Sequence, residues 1–460
     1  MTPPDLIHRL PGLRVGGGHD LPTPGFSVIN PEPTLQLPFS RHALDNGLRV
    51  ILHQDRSLPL VAVNLWYHVG SKNERPGRTG FAHLFEHMLF QGSEHVPTND
   101  HFRYVQQVGG VANGSTWFDR TNYYETLPAN HLDLALWLES DRMGFLLPAI
   151  TQENLDTQRQ VVMNERRQRV ENQPYGRATE RLHELLYPAD HPYHWPVIGY
   201  MEDIEAATLE DVRSFFSTYY TPSNAVITVA GDLEPHSALA RIESYFGDIP
   251  AGPPLPLLPP ELSDIEPLGG ERRDRLADDV RLPRVYVSYR IPPYGHRLWY
   301  VADLLTSLLA AGKSSRLYRD LVYERQIAQD VTAYVSPFEA VGSCTLIATA
   351  RPGIEIEVVE KALLGHVARL AAEPPPAEEL EAARNRILTG FYSGLQRLDN
   401  RADLFSQFTT YFDHPAGVAG EADRYREIAQ GDVSELLARF FGDGERAVVT
   451  VVPRPPREAT

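Results

Sequence analysis

A single cysteine, Cys344, in 460 residues leaves no partner for an intrachain disulfide and no thiolate set for a zinc cluster, so a metal site here must use histidine and carboxylates. Long apolar runs are missing too. The nearest, Val301 to Ala311, is broken by Asp303 and falls short of the ~18 to 20 residues of a membrane span. The opening residues, Met1-Thr-Pro-Pro-Asp5, have no basic start leading into an apolar stretch, which predicts a cytoplasmic protein, or a periplasmic one whose signal has been removed. Basic residues are outnumbered 43 to 60, and the resulting formal charge of -17 argues against nucleic acid and anionic lipid as partners. Chain length is ample: 460 residues with 42% apolar content can bury large cores and predict roughly two to four domains.

Residues 1–38 are rich in proline and glycine without sustained periodicity and are expected to form an extended arm. Gly47 to Leu52 and Leu60 to Val69 then read as β-branched, aromatic-rich strands. Thr79 is the expected cap of a short helix beginning at Phe81, Asn99 to Val108 is helical in pattern, and Leu132 to Phe145 and Thr151 to about Val170 are amphipathic helices. A further helix, Leu209 to Tyr219, leads into the strand Ala225 to Ala230. This mixture predicts layered α+β or α/β structure. Seven prolines between Pro250 and Pro267 mark a linker, set at residues 250–274. Beyond it the chain repeats itself: Asp211-Val-Arg-Ser-Phe-Phe216 and Ala225-Val-Ile-Thr-Val229 recur as Asp432-Val-Ser-Glu-Leu-Leu437 and Ala447-Val-Val-Thr-Val451. Two related domains are expected, residues 39–249 and 275–460.

Phe81-Ala-His-Leu-Phe-Glu-His-Met-Leu-Phe90 carries the chemistry. At roughly 100° per residue, with His83 at zero, His87 falls at about 40° and Glu86 at about 300°. Phe81, Leu84, Phe85, Met88 and Leu89 take the opposite side. A helix so apolar is expected to be buried, and three ionisable groups buried together are costly unless paired or bound to an ion. Histidines at i and i+4 can aim two nitrogens at one tetrahedral zinc. Zinc lowers the pKa of its water to about 7, and Glu86, beside a ligand, is placed to accept that proton and deliver it to a leaving amine. A third ligand is required, and ten carboxylates lie between Glu94 and Glu165. Glu165 stands out because it follows Val161 and Val162 by one turn, on a face expected to be buried. Its alternative role is pairing with Arg166 or Arg167. His95, His101, His131, His183, His191 and His194 are read as surface or hydrogen-bonded histidines, and Trp137, Leu138 and Met143 as core.

Over Leu37 to Val452 the chain resembles the inverzincin peptidases, which include pitrilysin, insulin-degrading enzyme and mitochondrial processing peptidase. The resemblance rests on His83, Glu86 and His87, Val161 to Glu165, Asn113 to Thr116 with Thr121 to Tyr124, and Tyr219 to Asp232. It implies an α+β fold of two homologous domains, each a mostly antiparallel sheet backed by helices. It also implies one zinc held by His83, His87 and Glu165, with Glu86 as general base. Ala112, Asn113, Gly114, Ser115 and Thr116 become an exposed edge strand to which a peptide substrate adds. Without the resemblance, Asn113-Gly114 reads as a hairpin turn.

Two positions depart from the family. A supporting glutamate often found seven residues before the third ligand is Gln158 here. The arginine and tyrosine that grip substrate in active arrangements align with Val322 and Gln329. Their absence implies that this chain is the zinc subunit of a heterodimer whose homologous partner carries the pair, unless Tyr318, Arg319, Tyr323 or Tyr334 substitutes. A scaffold of the same fold is the competing reading, disfavoured by the intact polar set at 83, 86, 87 and 165.

Overall fold

The computed structural model describes residues 35–256, 267–442 and 444–455. The expected arm over 1–38 lies outside the described residues except for 35–38, as does the centre of the expected linker, 257–266.

Among the described residues, eleven strands make two sheets. The first contains β1 (Ser40–Ala43), β2 (Arg49–Gln54), β3 (Leu60–Tyr67), β4 (Val111–Thr116), β5 (Thr121–Pro128) and β6 (Ala225–Gly231), ordered β1-β2-β6-β3-β5-β4. The second contains β7 (Arg272–Asp278), β8 (Arg284–Ile291), β9 (Ala328–Ser336), β10 (Gly342–Ala350) and β11 (Ala447–Pro453), ordered β7-β11-β8-β10-β9. Leaving out β1, the two orders are the same. Each sheet has one parallel pair, β2 with β6 and β7 with β11, and is otherwise antiparallel, so the internal repeat read from short matches extends to the whole strand topology.

The expected helices form with small shifts of boundary, α1 (Phe81–Met88), α2 (Asp100–Gln107), α3 (Leu132–Ala149), α4 (Gln152–Arg166) and the Leu209–Tyr219 helix, and a helix not among those expected, α5 (Ala178–Leu186), follows α4. Thr151 caps α4, its hydroxyl accepting from Asn154 N. Thr79 does not cap α1. Its hydroxyl donates to Asp203 at 2.7 Å, and the carboxylate of Glu74 accepts from Gly80 N and Ala82 N at 2.9 and 2.8 Å instead. Gly80 starts the helix at φ +83°, where a Cβ would lie 2.7 Å from Ile198 O, so only glycine fits.

The central strands β3, β6 and β10 are buried almost throughout because both faces are covered. One face carries its own half's helices; the other receives a helix from the opposite half. The Leu398–Phe412 helix packs on β3 and β6 of the first sheet, and α5 packs on β8 and β11 of the second. Small residues, Ala62, Ala230 and Ala402, let the first crossing come close. Asp403 anchors it, accepting from Asn64, Trp66 and Asn122 at 3.1, 2.9 and 3.2 Å. At the second crossing, Leu182, Leu186 and Tyr187 share one core with Tyr286, Phe338 and Val449. No helix among the described residues is long and apolar enough to cross a membrane.

Candidate metal centre

Helix α1 packs against α4 and β4, and these three elements supply every group of the site. Phe81, Leu84, Phe85 and Met88 are buried beneath the first sheet's helices, as the periodicity requires, which fixes the rotation of α1 and turns His83, Glu86 and His87 toward α4 and β4. Glu165 reaches them from the last turn of α4. His87 Nε2 is 3.2 Å and His83 Nε2 3.9 Å from Glu165 Oε2, and one donor atom from each residue lies within 4.8 Å of the others. Nitrogen and oxygen ligands around a tetrahedral zinc stand roughly 3.3 Å apart, so the donor set fits that ion with little movement.

The two roles considered for Glu165 are partly combined. Arg166 pairs with Glu180 and Arg167 donates to Asn164, so neither holds it. Arg169 pairs with Oε1 at 2.7 Å and leaves Oε2 facing the histidines. The expectation that both valines share a buried face with it fails: Val161 is 42% exposed and Val162 is buried. After Arg166 the helix widens, Asn172 N bonding Arg167 O at 2.7 Å in an i to i+5 turn. Gln158 is buried two turns earlier.

Burial, then the neighbouring His87, pushes the His83 imidazole down to about 4, so it is neutral and ready to ligate near pH 7. The hydrogen bond from His87 outweighs burial at Glu165 and holds its carboxyl below the usual range. Burial raises Glu86, opposed by a hydrogen bond from Thr116, the last residue of β4. Burial so opposed favours the protonated form over that of a free carboxylate, which suits a group that must both accept a proton and give it up.

Residues 111–116 form a strand, not the Asn113-Gly114 hairpin that local pattern favours. They pair with β5 over six residues and the chain turns only at Phe118. Trp117 N bonds Arg120 O at 2.8 Å, which sets the alternation and leaves the backbone groups of Ala112, Gly114 and Thr116 facing away from β5. β4 is the sheet's edge. Gly114 packs where a Cβ would press on Phe90 and Tyr123 at 3.1 Å, so an alanine would be crowded here.

A second cluster escaped the sequence reading. His101 of α2, Glu125 of β5 and Glu139 of α3 are all buried and close enough to share an ion. Arg142 already supplies the positive charge, pairing with Glu139 and lying 3.6 Å from Glu125 and over the Tyr123 ring. Burial raises both carboxyls and drives His101 down to about 3. This network props β5 beneath the edge strand. Nothing in the spacing of four residues from three elements signals it.

In the second half, Val322 is buried in the core and Gln329 is exposed at the start of β9, so neither position holds a gripping side chain. Of the four substitutes, Tyr318 packs against the core, Arg319 pairs with Glu324 and Tyr323 is 74% exposed. Tyr334 alone lines a cavity that Glu180 and Trp117 also border.

Paired homologous sheets, one bearing a His-x-x-Glu-His helix, define an inverzincin-type chain. Two descriptions of one family match it, "Insulinase (Peptidase family M16)" over residues 49–193 and "Peptidase M16 inactive domain" over residues 206–387. The chain belongs to peptidase family M16. It is similar to the zinc protease PqqE of Helicobacter pylori, 29% identical over 414 residues covering 89% of this chain and 92% of that one. An uncharacterized zinc protease of Mycobacterium leprae is 27% identical over 410 residues, 89% and 91% of the two chains. Among solved structures, a protease from Helicobacter pylori matches with a TM-score of 0.85 at 28% identity, covering 91% of this chain and all 100% of that one. The periplasmic protease PqqL from Escherichia coli shares the fold, with a TM-score of 0.72 at 20% identity over 91% of this chain and 48% of that one.

Proposed function

We propose that this chain is the metal-bearing subunit of a zinc endopeptidase that cleaves extended peptides or unfolded segments. The observation that carries the reading is the convergence of His83, His87 and Glu165 from two helices beside Glu86 and the end of an unpaired edge strand. Zinc, when bound by those three residues, supplies a Lewis acid that polarises the scissile carbonyl and acidifies a water. Glu86 takes the water's proton on its carboxylate and returns it to the departing amine as the C–N bond breaks. Ala112, Gly114 and Thr116 offer main-chain donors and acceptors to the substrate backbone, with Asn113 and Ser115 on the opposite face of the strand. A homologous partner supplies the arginine and tyrosine missing at 322 and 329.

The test is purification of the chain alone and with a homologous companion, with metal analysis and a peptide-cleavage assay on each. Zinc in the chain, weak cleavage alone and restored cleavage with the companion support the proposal. Full activity of the isolated chain removes the need for a partner. Zinc-loaded chain that never cleaves, with any homologue, supports a scaffold.

A further inference from the structure

A cavity of about 230 Å³ opens where the three elements of the metal centre run out. Trp117, the first residue past β4 and 42% exposed, is one wall. Val170, just beyond the turn that carries Glu165 and Arg169, is a second. Ile198, whose carbonyl packs on Gly80 at the start of α1, is a third. Phe118 and Phe338 form a buried floor, and Tyr334 of β9 closes the far side, so both halves of the chain build it. Its volume lies below the ~300 to 1,000 Å³ of drug-sized sites and suits one side chain.

The carboxylate and the imidazole on its wall are spent. Glu180 accepts from Arg166 at 2.9 and 3.1 Å. His183 lies flat on Phe118, its Nδ1 bound to the Tyr193 carbonyl at 2.9 Å, and burial keeps the ring neutral. A cationic side chain entering here finds no unpaired carboxylate, whereas an apolar one finds aromatic surface.

We infer that this cavity is a specificity pocket for one large apolar or aromatic side chain of the substrate, a few residues from the scissile bond, with the chain's own second half forming its far wall. The occupant follows from continuity: a strand added to β4 is carried past Thr116 directly to Trp117. The inference rests on the edge-strand reading, and the two can be separated.

The probes are extended peptides of alanine and serine with one phenylalanine walked along the sequence, labelled for anisotropy and titrated into the zinc-loaded Glu86→Gln chain. In one register phenylalanine is expected to bind roughly 10-fold tighter than alanine, and lysine in that register to gain nothing. Thr179→Trp, at an exposed position on the rim, should erase the phenylalanine gain and leave the alanine peptide unchanged. Ala112→Pro, which removes an outward N–H from the edge without touching the ladder, should weaken both peptides. If Ala112→Pro weakens both but phenylalanine gains nothing in any register, the pocket is refuted and the edge strand stands. If Ala112→Pro leaves both unchanged, or no peptide binds the chain alone or with the homologue that restores cleavage, both fall.

Discussion

Two helices hold the same place in the two halves and differ in what they turn inward. Helix α1 follows β3 and packs on α4 and β4; the Arg297–Ala310 helix follows β8 and packs on the Ala377–Gly394 helix and β9. The first turns two imidazoles and a carboxylate toward its neighbours. The second is buried on nearly every side by Leu298, Val301, Leu304, Leu305 and Leu308, and its one carboxylate, half-buried Asp303, is raised by desolvation and accepts from Tyr425 OH at 2.8 Å. The fold therefore does not dictate a metal centre. It provides a slot that one copy lines with candidate metal ligands and the other fills with core.

The comparison breaks most visibly at Glu86. Glu86→Gln should lower cleavage about 10²- to 10⁴-fold with zinc retained, whereas Asp303→Asn in the matching helix should leave cleavage per folded molecule unchanged. A peptide assay with parallel metal analysis reads both.

The next effect is on the exchange of helices between halves. Asp403→Ala removes the acceptor shared by Asn64, Trp66 and Asn122, and unsatisfied donors in a covered interface should cost on the order of 2 to 4 kcal/mol in urea unfolding.

Smaller is the contrast in how the two helices begin. Glu74 satisfies two N–H groups of α1, while His296 Nδ1 accepts one from Leu298 N at 3.1 Å. Glu74→Ala is expected to cost about 1 to 2 kcal/mol and His296→Ala about 0.5 to 1, read as shifts in thermal midpoint.

A last contrast is a pH dependence where the halves meet. Burial at Glu339 is outweighed by the hydrogen bond from His68 and the charge of Lys72, and its carboxyl falls to about 2. Its folded value lies below the ~4.3 of an unfolded glutamate, so its contribution is present above that pH and lost as pH falls toward 2. Glu339→Gln should flatten stability across that window and leave it unchanged in shape above pH 5.

What was legible in the sequence follows from the range over which each signal acts. The His83–Glu86–His87 slot was readable because helical periodicity places i, i+3 and i+4 together without tertiary information. Glu165 was not separable from an ion pair by local pattern, since its role depends on how α4 lies against α1; the resemblance carried it. Thr79 has the chemistry of a cap, but a tertiary bond to Asp203 claims its hydroxyl and leaves the helix to Glu74. Asn113-Gly114 has the chemistry of a turn, but pairing with β5 outweighs local preference. The helix exchange was invisible, because an amphipathic face says that something is covered and not which sheet covers it.

The most direct test is zinc stoichiometry on the purified chain, for the wild type and for His87→Ala and Glu165→Ala variants that stay folded by circular dichroism. One zinc per wild-type chain, lost or weakened at least ~10-fold in each variant, is the expected result. One zinc retained with unchanged affinity in both variants would place the metal elsewhere and contradict the assignment of the site to α1 and α4.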